Sequence, residues 1–195
     1  MNASSQAWMV IALLVIALSI VTMLVVRKLR KEESQRLQQR FGTEYDHLLA
    51  KHGSRRKAEA ELNAREKRVR TLKIVPLAEA DAAKFRDAWS LLQSRFVDDP
   101  KGVVGEADTL VRDLMVKRGY PMGDFERRAA DISVDHPAVV RAYRSARAIA
   151  ERGQLGDVNT DELRGALVDY RSLFDELLEV RDAKRVSNDQ TAIQL

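Results

Sequence analysis

Chemistry in this chain would have to come from few side chains. There are three histidines, His47, His52 and His136, and no cysteine, so thiolate catalysis, disulfides and Cys-ligated zinc are excluded. Glu44 and His47 form one Glu-x-x-His. That spacing puts a carboxylate and an imidazole on one helical face, but a di-iron bundle needs two such pairs and two further carboxylates. His47 and His52 are five apart and diverge around a helix. Asp135 and His136 are adjacent; without a nucleophile placed beside them they read as a turn before Pro137. Asp98 and Asp99 could serve as acid and base, yet an Asp pair before Pro100 has the grammar of a helix cap. Neither the P-loop motif nor the dinucleotide glycine motif occurs. The expectation is therefore a protein with no catalysis, no cofactor and no metal.

The elements that would position any site begin with an apolar run. The 19 residues from Trp8 to Val26 carry no charge, which at the helical rise is roughly 28 Å, close to the bilayer hydrocarbon thickness. A signal peptide fits poorly, because "MNASSQA" has no Lys or Arg ahead of the core and no A-x-A site follows it. The expectation is a retained transmembrane helix over 8–26, with 1–7 as a short tail. Arg27, Lys28, Arg30, Lys31, Arg36 and Arg40 crowd one flank only. The positive-inside rule puts that flank in the cytoplasm and the N-terminus outside, with Trp8 at the outer interface. The expected location is thus the cell membrane, single-pass, with the bulk of the chain cytoplasmic.

The chain is electrically two pieces. Residues 27–75 hold 15 Lys/Arg against 7 Asp/Glu, whereas residues 76–195 hold 18 against 22. Basic residues near an anionic inner leaflet are each worth on the order of 1 kcal/mol. Arg27, Lys28, Arg30, Lys31, Arg36 and Arg40 are accordingly candidate membrane-surface contacts, the alternative being a solvated helix face. Within 27–75, Thr43 is placed as an N-cap with Asp46 three residues on, Gly53 as a stop and Ser54 as a fresh N-cap. Phe41, Tyr45 and Leu48 form one apolar patch; Ala58, Leu62, Val69 and Leu72 form another in a different register. This predicts hinged helices rather than a coiled-coil stalk. Leu62, Val69 and Leu72 would stay wet unless the segment folds back on the distal part. "KIVPL" reads as an extended connector.

Residues 76–180 predict a bundle of about five capped helices, and the whole chain is expected to be all-α. Phe85, Trp89, Leu92 and Phe96 line the first helix, closed by Asp99 as the next N-cap with Pro100 at N1. Val103, Ala107, Leu110 and Leu114 line the second, which Gly119 and Pro121 end. "DFERRAADI" fits a shorter helix. Val139, Val140, Tyr143 and Ile149 follow, and Asn159 with Glu162 starts a last helix lined by Leu163, Leu167, Tyr170, Phe174 and Leu177. The core is placed on Phe85, Trp89, Leu92, Phe96, Leu110, Leu114, Tyr143, Leu167, Tyr170 and Phe174. Residues 181–195 are expected to be a frayed polar tail.

The segments "RFGTEYD", "QSRFVDDP", "ADTLVRDLMVKRGYP", "SVDHP" and "YRSLFDELL" together resemble an uncharacterised bacterial family of single-pass proteins, usually labelled as membrane or secreted. The resemblance covers roughly Phe41 to Leu178 and implies no activity and no functional residues. The favoured expectation is a helical scaffold at the cytoplasmic membrane face that engages a protein partner. The alternative is polyanion binding, to anionic lipid or to nucleic acid, the latter through Arg55, Arg56, Lys57, Lys67, Arg68 and Arg70. Nucleic acid is disfavoured by the lack of interleaved aromatics. An enzyme of unknown class stands third, and no sequence feature sets the partner or the oligomeric state.

Overall fold

The computed structural model describes residues 3–178, with side chains from residue 13 onward apart from residue 15. The expected outer tail, the Trp8 side chain and the expected tail 181–195 lie outside that description. Eight helices follow one another: α1 Ala3–Phe41, α2 Thr43–His52, α3 Arg55–Val69, α4 Glu79–Ser94, α5 Pro100–Arg118, α6 Phe125–Asp135, α7 Pro137–Leu155 and α8 Thr160–Leu177. The fold is all-α, with no strand among the described residues.

The change from apolar to basic at Arg27 does not interrupt the backbone. α1 runs through it as one helix to Phe41, because Arg, Lys, Glu and Gln propagate a helix about as well as Leu does. Among the described residues no helix is long and apolar enough to cross a membrane. Within the expected span, side chains are described over residues 13–26 apart from residue 15, about 20 Å of helix.

The first break falls at Gly42, which adopts φ 49° and reverses the chain. Thr43 is therefore the first helical residue of α2 and not its cap; no side chain caps this end. Gly53, with φ 60°, ends α2 as expected, its N–H donating to the Leu49 carbonyl. Ser54 occupies the cap position of α3 in extended conformation, but its hydroxyl makes no capping bond. The distal caps follow the sequence. Asp99 accepts from the Gly102 N–H at 2.9 Å ahead of Pro100, Asp124 accepts from the Arg127 N–H at 2.7 Å, and Asn159 and Glu162 close a reciprocal capping box.

Gly119 is required twice over. Its φ of 94° is left-handed, and a Cβ there would stand 2.5 Å from the Lys73 carbonyl oxygen. The close approach seats the connector "KIVPL" against the end of α5, where the Val75 N–H donates to the Arg118 carbonyl at 2.9 Å.

Two apolar cores result. The distal one gathers Trp89, Leu92, Leu114, Tyr143, Leu167, Tyr170 and Phe174 from α4, α5, α7 and α8, with Phe96 from the turn that follows α4. Phe85 and Leu110, both expected inside, are only partly buried at its rim. α5 turns Val103, Val104, Ala107, Val111, Leu114 and Met115 inward, a stripe centred beside Leu110, so that Val111 takes the inward place. Ile149 is displaced to the rim in the same way by Ala146 and Ala150 of α7.

The proximal core joins Leu37, Phe41, Tyr45 and Leu48 to Ala58, Leu62 and Val69, with Val134 of α6 completing it. The two out-of-register patches are facing walls of one core. α1 and α3 run in the same sense: Arg36 bonds Asn63 at 3.3 Å and Arg40 meets Glu66 at 3.2 Å. α2 connects them. α3 packs on α6 and α2 on α7, so the basic segment folds back onto the bundle, and Leu62, Val69 and Leu72 are covered or partly covered there.

Candidate functional site

The fold-back surface is held by charges as well as apolar contacts. Arg65 sits on the inward face of α3, one turn from Leu62 and Val69, and its side chain is 4% exposed. Its Nη1 donates to Glu44 Oε1 at 2.7 Å and to Ser133 Oγ at 3.2 Å, and its Nη2 donates to Glu61. Glu44 also accepts from Arg144 Nη2 of α7 at 3.1 Å, and Arg144 Nη1 donates to Glu126 at 2.7 Å. One cluster thereby ties α2 and α3 to α6 and α7. Beside it, Arg68 Nε donates to the buried Asp131 at 2.7 Å. Burial pushes the Glu61 carboxyl up, but hydrogen bonds from Arg65 and His52 outweigh it and hold it below the usual carboxylate range. Burial likewise opposes the charge on Arg144, and Glu126 and Glu44 more than restore it, raising the guanidinium.

This arrangement holds four elements together. Glu44 is occupied by two guanidinium groups while His47 points out to solvent, so the Glu-x-x-His pair does not converge on a metal. No group of three or more potential ligands forms among the described residues. His52 is 2.5 Å from Glu61. Asp99 is a cap and Asp98 is exposed. His136 Nδ1 lies 3.2 Å from Glu176 in an open concavity that also takes in Asp135 and Ser172, and there the Ser172 hydroxyl donates to the Val168 carbonyl at 3.2 Å rather than to a base. In the bundle Asp108 accepts from the Tyr170 hydroxyl at 3.1 Å and from Arg147 at 3.1 Å. Burial, then the neighbouring Asp108 charge, pushes that phenol far up, so it stays neutral.

The six basic residues expected at the lipid surface divide into two sets. Arg36 bonds Glu33 and, at 3.0 Å, Glu66, and Arg40 reaches Glu66 and the Val134 carbonyl. These two serve the fold-back surface, because the inward turn of Glu66 draws them toward α3 and α6. Arg27, Arg30 and Lys31 line a cleft together with Arg55 and Arg56, while Lys28 lies 3.9 Å from Glu32. The six residues weighed for nucleic acid divide too: Arg68 is turned inward on Asp131 and Arg70 lies 3.8 Å from Glu66, while Arg55 and Arg56 line the cleft.

No family model, curated protein or solved structure matches the chain.

Proposed function

We propose that this protein is a membrane-anchored helical scaffold, non-catalytic, whose folded body stands at the cytoplasmic membrane face to engage a protein partner. The observation that carries the reading is the first helix. The described large apolar side chains between Leu13 and Val26 are each 40% to 68% exposed, and the same helix continues without a break into the proximal core. Such a stripe demands a cover, and the uncharged run that includes it is long enough for lipid to supply one. The buried charge cluster keeps the body in one piece on the end of that helix, which suits a rigid platform. The Lys/Arg excess after the run supports the inward orientation of the body.

Extraction of membranes at alkaline pH tests the anchor. The protein is expected to stay with the pellet and to leave it only in detergent, with a mature N-terminus ahead of Trp8. Release by carbonate, or a mature start near about residue 20, where signal cleavage would fall, overturns it. Crosslinking in native membranes followed by affinity capture then reads the partner.

A further inference from the structure

The geometry points to a second role for the junction of α1 and α3: the cleft between them binds the phosphate of an anionic phospholipid headgroup. The cleft, about 830 Å³, is lined by Arg27, Arg30 and Lys31 from α1 and by Arg55 and Arg56 from the first turn of α3. Those two segments are more than twenty residues apart in sequence and meet only because α2 returns the chain. Since α1 and α3 run in the same sense, the start of α3 lies level with the end of the apolar run at Val26. The inference rests on the anchored reading of α1, which places that level among the headgroups.

Cations outnumber carboxylates in the cleft, five to two. Of its two carboxylates, Glu33 accepts from Arg36 at 2.8 and 2.9 Å, and Glu59 accepts from the Tyr45 hydroxyl at 3.0 Å. Arg55 lies 4.0 Å from Glu59. Arg27, Arg30, Lys31 and Arg56 meet no carboxylate among the described residues, whereas Arg36, Arg40, Arg65 and Arg68 all do. The start of α3 worsens the imbalance. It carries "RRK" and no acidic residue in its first turn, at the helix end where the dipole already favours negative charge. Because Ser54 makes no capping bond, the first N–H groups of α3 gain no partner from it. A phosphate placed there meets guanidinium groups and helix N–H donors together.

Two further residues separate lipid from a free anion. Ser34, 6% exposed, lines the cleft and brings a hydroxyl to its wall. Leu29, 58% exposed, also lines the cleft and offers apolar contact that a glycerol backbone or acyl chain would use and inorganic phosphate would not.

The test is native mass spectrometry of the full-length chain in detergent, titrated with phosphatidylglycerol or phosphatidylcholine of equal chain length. The Arg55→Gln/Arg56→Gln variant is compared with Lys67→Gln/Lys73→Gln, which removes the same charge from exposed positions outside the cleft. Phosphatidylglycerol is expected to bind preferentially to the wild type and to the lysine control. The arginine variant should lose about 25-fold of that preference, at roughly fivefold per cation. Equal retention by the two variants overturns the proposal. Displacement of the lipid by glycerol 3-phosphate or by a short RNA, dependent on the same arginines, also overturns it and reassigns the cleft to a soluble phosphate or to nucleic acid. The assay needs no bilayer, so failure of the anchor, read by carbonate extraction, is distinguishable from failure of the cleft.

Discussion

Replacing Arg65 with Ala should destabilise the protein by about 3 kcal/mol, the lower end of the range for breaking a buried ion pair. The residue joins α3 to Glu44 at 2.7 Å and to Ser133 at 3.2 Å with 4% of its side chain exposed. Its removal strands the buried Glu44 carboxylate, although Arg144 at 3.1 Å still offsets part of that charge. The loss concentrates where the proximal helices meet the bundle. Trypsin should leave Arg68 intact in the wild type, since Arg68 is pinned to Asp131, and should cut after it rapidly in the Arg65→Ala variant. The Glu44→Gln/Arg65→Met double variant should recover much of the loss, because neither partner is then left charged and alone. A denaturation curve within about 1 kcal/mol of wild type, the range of an exposed pair, with Arg68 equally protected, would show that the cluster does not hold the two parts together.

Trp89→Ala should cost about 3 to 5 kcal/mol, as removal of a buried Trp generally does. The indole is 2% exposed and stacks on Phe174 with ring centroids 4.7 Å apart, while Arg171 lies over its outer face at 5.7 Å. The ring joins α4 to α8, so its loss opens a cavity at the seam of two helices. For a body of this size the melting temperature should fall by roughly 8 to 15 °C. Trp89→Phe should be much milder, since the indole Nε1 has no hydrogen-bond partner to lose. A melting temperature within a degree or two of wild type for Trp89→Ala would place the residue outside the core.

What could be read from the sequence was mostly local. Asp99 with Pro100, Gly53, Gly119 and the Asn159/Glu162 box act within one helical turn, and each stands where its residue type predicts. Thr43 misled because Gly42, with its positive φ, turned the chain one residue earlier. Leu110 and Ile149 misled because a stripe of smaller residues beside each one decided which face turned inward. The fold-back of the proximal helices was legible in the apolar spacing of Leu62 and Val69. The charge cluster had a weaker signal: Arg65 falls in the same face as Ala58, Leu62 and Val69, a cation inside an apolar stripe that calls for a buried carboxylate. Which carboxylate was beyond reading, because Glu44, Asp131 and Glu126 meet their arginines across tens of residues of chain. The basic cleft was hidden for the same reason. Arg27 and Arg55 become neighbours only once α2 has doubled back.

The absence of cysteine allows the most direct test of the anchored, inward-facing body. Single Ser4→Cys and Asp161→Cys variants would each carry one unique thiol, the second at an 88% exposed position in the first turn of α8. In intact cells an impermeant maleimide should label Ser4→Cys and spare Asp161→Cys, and permeabilisation should make both reactive. Labelling of Asp161→Cys in intact cells would put the folded body on the outer side and contradict the proposed topology.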